Sequence, residues 1–146
     1  MKLNIFKETK IRIPWRKLET LFTAVTQNES TRADKGQVNL IMTTNSRLRA
    51  LNHQFRDIDN ATDVLSFNLD EPDDINSIFG EIYIAVPIAT HQAKQYRATL
   101  SQELLRLTCH GLLHLYGYDH QTDSQRQEML RLEEQYLLAT EGKNNA

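Results

Sequence analysis

Residues 100–116, LSQELLRLTCHGLLHLY, decide how this chain folds. From Leu104 to Tyr116 the stretch is apolar almost all round, and such a helix belongs in the middle of a domain rather than on its surface. Thr99 and Gln102 form a T-x-x-Q capping box at its start. Gly117 stops it, most simply in the left-handed position just past the last turn. Two histidines, His110 and His114, interrupt the apolar run four residues apart, which places them on one helix face. A third, His120, follows the break.

The elements on either side read outward from this helix. KLNIF (2–6), QVNLIMT (37–43), DVLSFNL (63–69) and IFGEIYIAV (78–86) have the composition and alternation of strands. The last two are expected to pair as a hairpin across the turn EPDDINS (71–77). Pro14 opens a helix with Trp15, Leu18, Leu21, Phe22 and Val25 at helical spacing. Asn45 is the expected N-cap of a second helix, SRLRALNHQF, and the polar RDIDNAT (56–62) that follows is irregular. Pro87 begins a third helix, through about Tyr96. Thr122 and Gln125 repeat the capping box before a last amphipathic helix with Met129, Leu132, Tyr136 and Leu137 as its stripe. EGKNNA (141–146) reads as a frayed tail. The expected fold is α+β: a single domain over 1–146, with about four strands in one mixed sheet, about five helices, and the apolar helix at the centre.

Composition narrows the function classes. With 146 residues, 40% hydrophobic and 25% charged, the chain suits one ordinary soluble core. No apolar run approaches the ~20 residues that span a bilayer. The first residues, MKLNIFKETKIRIPW, lack the apolar region of a secretory signal. Cys109 is the only cysteine, so no intramolecular disulfide forms; a cytoplasmic setting without membrane contact is expected. Cys109 itself reads as a small buried residue rather than a reactive thiol. A net charge of −2 means that any nucleic-acid binding must come from locally concentrated positive charge.

HGLLHLYGYDH (110–120) sets three histidines at relative positions 0, 4 and 10 with a glycine at 7. This is the ligand spacing of the metzincin peptidases. Three of the chain's five histidines within eleven residues at that spacing outweigh a reading as ordinary core histidines. One zinc-sized ion per chain, bound by His110, His114 and His120, is expected, with a fourth position left open as in catalytic sites. Cys109 points about 100° away from His110 around the helix. Asp119 is better suited to orienting a ligand than to binding the ion.

The peptidase pattern requires a glutamate after the first histidine, as general base. Gly111 stands there and offers no carboxylate, although inserting one looks sterically easy. Three chemistries stay open. The metal acidifies its water unaided, another residue supplies the base, or the nucleophile belongs to the substrate, as an RNA 2′-hydroxyl would.

The motif with its trailing Gly-Tyr-Asp-His closely resembles the signature of the YbeY family of bacterial endoribonucleases. LNHQFRDIDNATDVLSF (51–67) resembles a second block of that family and FGEIYIA (79–85) a third, in family order. The resemblance implies a metal-dependent endoribonuclease that prefers single strands, with zinc as the ion that the three imidazoles suit. It also implies a role in ribosomal RNA processing, notably maturation of the 16S 3′ end, and in ribosome quality control. The implied partners are single-stranded RNA, the small ribosomal subunit and its assembly proteins. It carries the metal ligands onto His110, His114 and His120, and a functional arginine onto Arg56. The family usually has aspartate where Glu81 stands, and commonly proline where Ala61 precedes Thr62 and Asp63.

Arg49, His53 and Arg56 share one helix face, with Arg56 at the end, where a guanidinium can grip a phosphate bidentately. Ser66 and Glu81 are further candidates for the cleft or for support of the ligands. Thr62 and Asp63 read as turn chemistry, and His91 as a surface residue. Two other functions fit the histidines less well: a metallopeptidase, opposed by Gly111, and a non-catalytic ribosome-assembly factor with a structural metal.

Overall fold

The computed structural model describes residues 1–30, 36–69 and 78–145, with side chains as far as Glu141. The elements run β1 (Lys2–Lys7), α1 (Trp15–Glu29), β2 (Gln37–Thr43), α2 (Asn45–Arg56), β3 (Val64–Asn68), β4 (Ile78–Ala85), α3 (Val86–Gln95), α4 (Leu100–Leu115) and α5 (Asp123–Asn145). The four strands form one mixed sheet in the order β1-β2-β4-β3. β1 and β4 each lie parallel to β2, and β3 lies antiparallel to β4, as the expected hairpin requires. The turn expected at 71–77 lies outside the described residues.

Strand alternation sorts the side chains onto two faces. Val38, Leu40, Met42, Ile82 and Ile84 join Leu18, Leu21, Leu104 and Leu112 in the main core. Ile41, Leu65, Tyr83 and Ala85 point the other way and pack on Leu48 and Leu51 of α2. α4 packs on α1, α3, α5, β3 and β4, and the interior side chains it contributes are almost wholly buried. It is the central helix that its apolar sequence demands.

Two glycines let α4 lie close on the sheet. A Cβ on Gly80 would come within 2.6 Å of Leu115 Cδ2, and one on Gly111 within 2.8 Å of Ile82 Cγ2. The edge strand β3 adds two polar ties to the helix. Ser66 Oγ donates to the Gly111 carbonyl at 3.2 Å, and Asn68 Nδ2 to the Leu115 carbonyl at 2.9 Å.

Both expected capping boxes form. The Thr99 hydroxyl accepts from Gln102 N at 3.1 Å while Gln102 accepts from Thr99 N at 2.8 Å. Thr122 and Gln125 do the same at the start of α5. α4 ends in a Schellman motif: Tyr118 N donates to the Leu113 carbonyl, Gly117 N donates to the His114 carbonyl, and Gly117 has φ 95°.

Three boundaries differ from expectation. Thr44, not Asn45, caps α2, its hydroxyl accepting from Arg47 N at 3.2 Å. Threonine and asparagine both serve as caps, and here the hydroxyl one residue earlier takes the bond. Pro14 is the residue before α1 rather than its first residue. α5 continues to Asn145 through the segment read as a tail, where a single helical glycine costs only about 1 kcal/mol.

Candidate active site

The end of α4 and the edge strand β3 both line a cleft of about 690 Å³. His110, His114 and His120 line it together with Arg56, Ser66 and Asp119. The four-residue spacing on α4 brings His110 Nε2 and His114 Nε2 to 3.0 Å. The Schellman turn then reverses the chain, so that the His120 ring centroid lies 5.4 Å from that of His110 and 5.0 Å from that of His114. One ligand atom from each histidine falls within 4.8 Å of the others, close enough to hold one metal ion.

The donor set fits such an ion. Bonds of ~2.0–2.1 Å in a tetrahedral site put two ligand nitrogens about 3.3–3.4 Å apart. The 3.0 Å between His110 and His114 is close to that value. The other ring nitrogen of His110 is engaged behind it. His110 Nδ1 lies 2.6 Å from Glu133 Oε1, a hydrogen bond that leaves Nε2 to the cleft side. His114 lies beside the Tyr118 backbone. Its pKa is lowered, first by burial and then by the proximity of His110 and His120, which favours the neutral form that a metal requires.

The loop that carries His120 is anchored at several points. Tyr118 Oη donates to Glu29 Oε1 at 2.7 Å, and the hydroxyl of Tyr136 on α5 donates to the other oxygen of the same carboxylate. Asp119 Oδ1 accepts from the backbone N–H of His120 at 2.7 Å. Asp119 thus lines the cleft and fixes the backbone of a ligand, rather than bonding an imidazole. Among the described residues no fourth Asp, Glu or Cys joins the three histidines, which leaves a coordination position open. Cys109 is buried on another face of α4, and burial raises its pKa strongly, as suits an inert thiol.

Arg56 reaches the cleft from across the sheet edge. α2 stops directly after it because Asp57 adopts the left-handed conformation, φ 56° and ψ 33°. Ile58 N then returns to the Asn52 carbonyl, and the Asn52 side chain holds the Asn60 carbonyl at 3.0 Å. The exposed Arg56 guanidinium lies 3.4 Å from the Ser66 carbonyl on β3. The rest of the basic face does not follow it. Arg49 forms a two-pronged pair with Asp59, at 2.7 and 3.0 Å, beside a different depression.

Three expectations are corrected or refined. Glu81 does not reach the cleft. It points to the α2 side of the sheet, where it accepts from Asn39 Nδ2 at 3.3 Å and from Tyr83 Oη at 3.2 Å. Ser66 does line the cleft, but its hydroxyl is engaged with Gly111. Inserting a carboxylate at 111 is not sterically easy, since a Cβ there would stand 2.8 Å from Ile82 Cγ2 and 3.0 Å from Ser66 Oγ. Asp63 behaves as the turn residue expected, accepting from Val64 N at 2.9 Å and from the Thr62 hydroxyl at 3.3 Å.

Sequence reasoning missed Glu133 and Glu29. Their signals were present but faint. Glu133 stands on the apolar stripe of α5, four residues after Met129 and three before Tyr136. Glu29 is an acidic residue at the C-terminus of α1, where the helix dipole disfavours it unless it has partners.

Known proteins resemble the chain over almost its whole length. A model of the Endoribonuclease YbeY family matches residues 4–141. Endoribonuclease YbeY of Desulforamulus reducens is 36% identical over 140 residues, covering 92% of each chain. That of Acholeplasma laidlawii is 37% identical over 140 residues, covering 94% of this chain and 95% of its own. The solution structure of a Thermotoga maritima protein superposes with a TM-score of 0.65 at 33% identity, covering 98% of this chain and 91% of that one. A family match over residues 4–141 and relatives 36–37% identical over almost the whole chain give one conclusion: the chain belongs to the Endoribonuclease YbeY family.

Proposed function

We propose that this protein is a zinc-dependent endoribonuclease, a single catalytic domain over residues 1–146 that cuts single-stranded RNA. His110, His114 and His120 hold one zinc ion, and Arg56 holds the phosphate. The observation that carries this reading is that the three histidines and the Arg56 guanidinium line the same cavity. Family membership supports RNA as the substrate.

When bound, zinc supplies Lewis acidity at the open position and lowers the pKa of water there. The chain's own residues do the rest. The guanidinium of Arg56 grips nonbridging phosphate oxygens and stabilises the charge that develops on them during displacement. It stands at a helix end on an otherwise acidic protein, so it supplies positive charge locally. His114 stays neutral because it is half-buried among imidazoles. The free edge of β3 leaves one side of the cleft open to an extended strand.

A peptidase would need a carboxylate beside His110. Gly111 instead faces Ile82 and the Ser66 hydroxyl, with no room for one. The biological reading is maturation of ribosomal RNA, including the 16S 3′ end, and ribosome quality control in the cytoplasm, on the small subunit and with its assembly proteins. No helix among the described residues is long and apolar enough to cross a membrane.

The test is cleavage of a single-stranded RNA oligonucleotide by zinc-loaded, chelated and reloaded protein, alongside Arg56→Ala. Cleavage should vanish on chelation and return on reloading. Arg56→Ala should lose about 10²–10³ in rate, the usual cost of removing a preorganised charge donor, with an unchanged melting temperature. Arg56→Lys should rescue poorly, since an ammonium cannot form a two-pronged contact. Cleavage that survives chelation would contradict the metal assignment, and wild-type cleavage by Arg56→Ala would contradict the role of Arg56.

A further inference from the structure

We propose that Glu133 is a positioning residue of the metal site: its carboxylate holds the His110 imidazole in the one tautomer and orientation that present Nε2 to the ion. This rests on the reading of the three histidines as a metal site.

Glu133 lies on α5 and is only 5% exposed. Glutamate is almost never so buried without a partner. The nearby guanidinium does not serve as that partner, because Arg106 is bound through two nitrogens to Glu103, at 2.7 and 2.8 Å. Among the described residues the hydrogen bond of the Glu133 side chain goes to His110 Nδ1, at 2.6 Å. A core built for stability alone would place an apolar side chain here, between Leu132 and Tyr136, because burying a carboxylate costs more than burying a leucine.

The bond has a directional consequence. A carboxylate accepts the Nδ1 hydrogen, and in the neutral imidazole that a metal requires the lone pair then falls on Nε2. That Nε2 points at His114 Nε2, 3.0 Å away. A carboxylate behind a ligating imidazole also raises its basicity. The segment after Gly117 therefore serves the site twice: it brings His120 as a ligand, and thirteen residues later it brings the group that aims His110.

The experiment measures zinc affinity by competition with a chromophoric chelator for wild type, Glu133→Ala and Glu133→Gln. It also records the tautomer of His110 in the metal-free proteins from imidazole 15N shifts. Glu133→Ala should bind zinc about 10–100-fold more weakly, as loss of such a partner typically does, and His110 should become a tautomer mixture. Glu133→Gln keeps an acceptor oxygen without the charge. It should hold the tautomer better and fall between the other two in affinity.

Undiminished zinc affinity in Glu133→Ala, even with a lowered metal-free melting temperature, would mean that Glu133 only tethers α5 and would overturn the proposal. If Glu133→Ala does not fold, wild-type affinity in Glu133→Gln would overturn it equally. Wild-type protein that binds no zinc would instead defeat the metal reading on which the proposal rests.

Discussion

Gly111 shows how a single residue separates two chemistries that share one ligand spacing. Metzincin peptidases place a catalytic glutamate at this position, and here the helix must touch the sheet instead. The space is filled by Ile82 and by Ser66, which bonds the Gly111 carbonyl. Gly111→Ala should therefore destabilise the fold by about 1–3 kcal/mol through overpacking, read as a lowered urea midpoint. Gly111→Glu should be worse, and neither variant nor wild type should hydrolyse unstructured peptides in the presence of zinc. Efficient peptide hydrolysis by wild type would reverse this conclusion. His114 makes the stability of the metal-free protein depend on pH. Its folded pKa lies below the usual 6.5, so between the two values the unfolded chain binds a proton that the folded chain does not. The stability of the metal-free protein should be fully present above 6.5 and fall as the pH drops below it. His114→Gln should flatten that part of the profile in melts at pH 5 to 8.

At the scale of elements, α4 was legible because its signals are local. A capping box, an apolar run and a terminating glycine all act within a few residues, and each appears in the structure. The i, i+4 histidine pair was legible for the same reason. What holds the pair was not, because Glu133 meets His110 across 23 positions, and Glu29 meets Tyr118 across 89 and Tyr136 across 107. No periodicity reports such contacts. Glu81 illustrates the same limit in a strand. Alternation puts it opposite Ile82, but only the packed structure says which face carries the histidines. The Glu29 clamp ties the end of α1 to the His120 loop and to α5 at once. Glu29→Ala leaves two phenols without their acceptor, and about 1–3 kcal/mol of stability should be lost in urea unfolding. A midpoint equal to wild type would show that water replaces the carboxylate without cost.

For the whole molecule, the α+β class followed from the switch between two-residue and 3.6-residue periodicity, but the strand order did not. Placing β4 between β2 and β3 depends on long-range pairing that is silent in the chain. That order is what puts the β3 edge beside the end of α4 and lets Arg56 line the same cleft as the histidines. The ion would then join the central helix to the segment that leads into α5. Binding to the folded state alone stabilises it by mass action, by about 4 kcal/mol when free zinc exceeds its dissociation constant a thousandfold. Chelation should lower the melting temperature by several degrees, and reloading should restore it; an unchanged melt with metal loss confirmed would contradict that coupling. The most direct test of the three-histidine site is the metal content of purified wild type and His114→Ala, measured by elemental analysis. One zinc per wild-type chain and almost none in a folded His114→Ala is the predicted result, and equal zinc in both would contradict it.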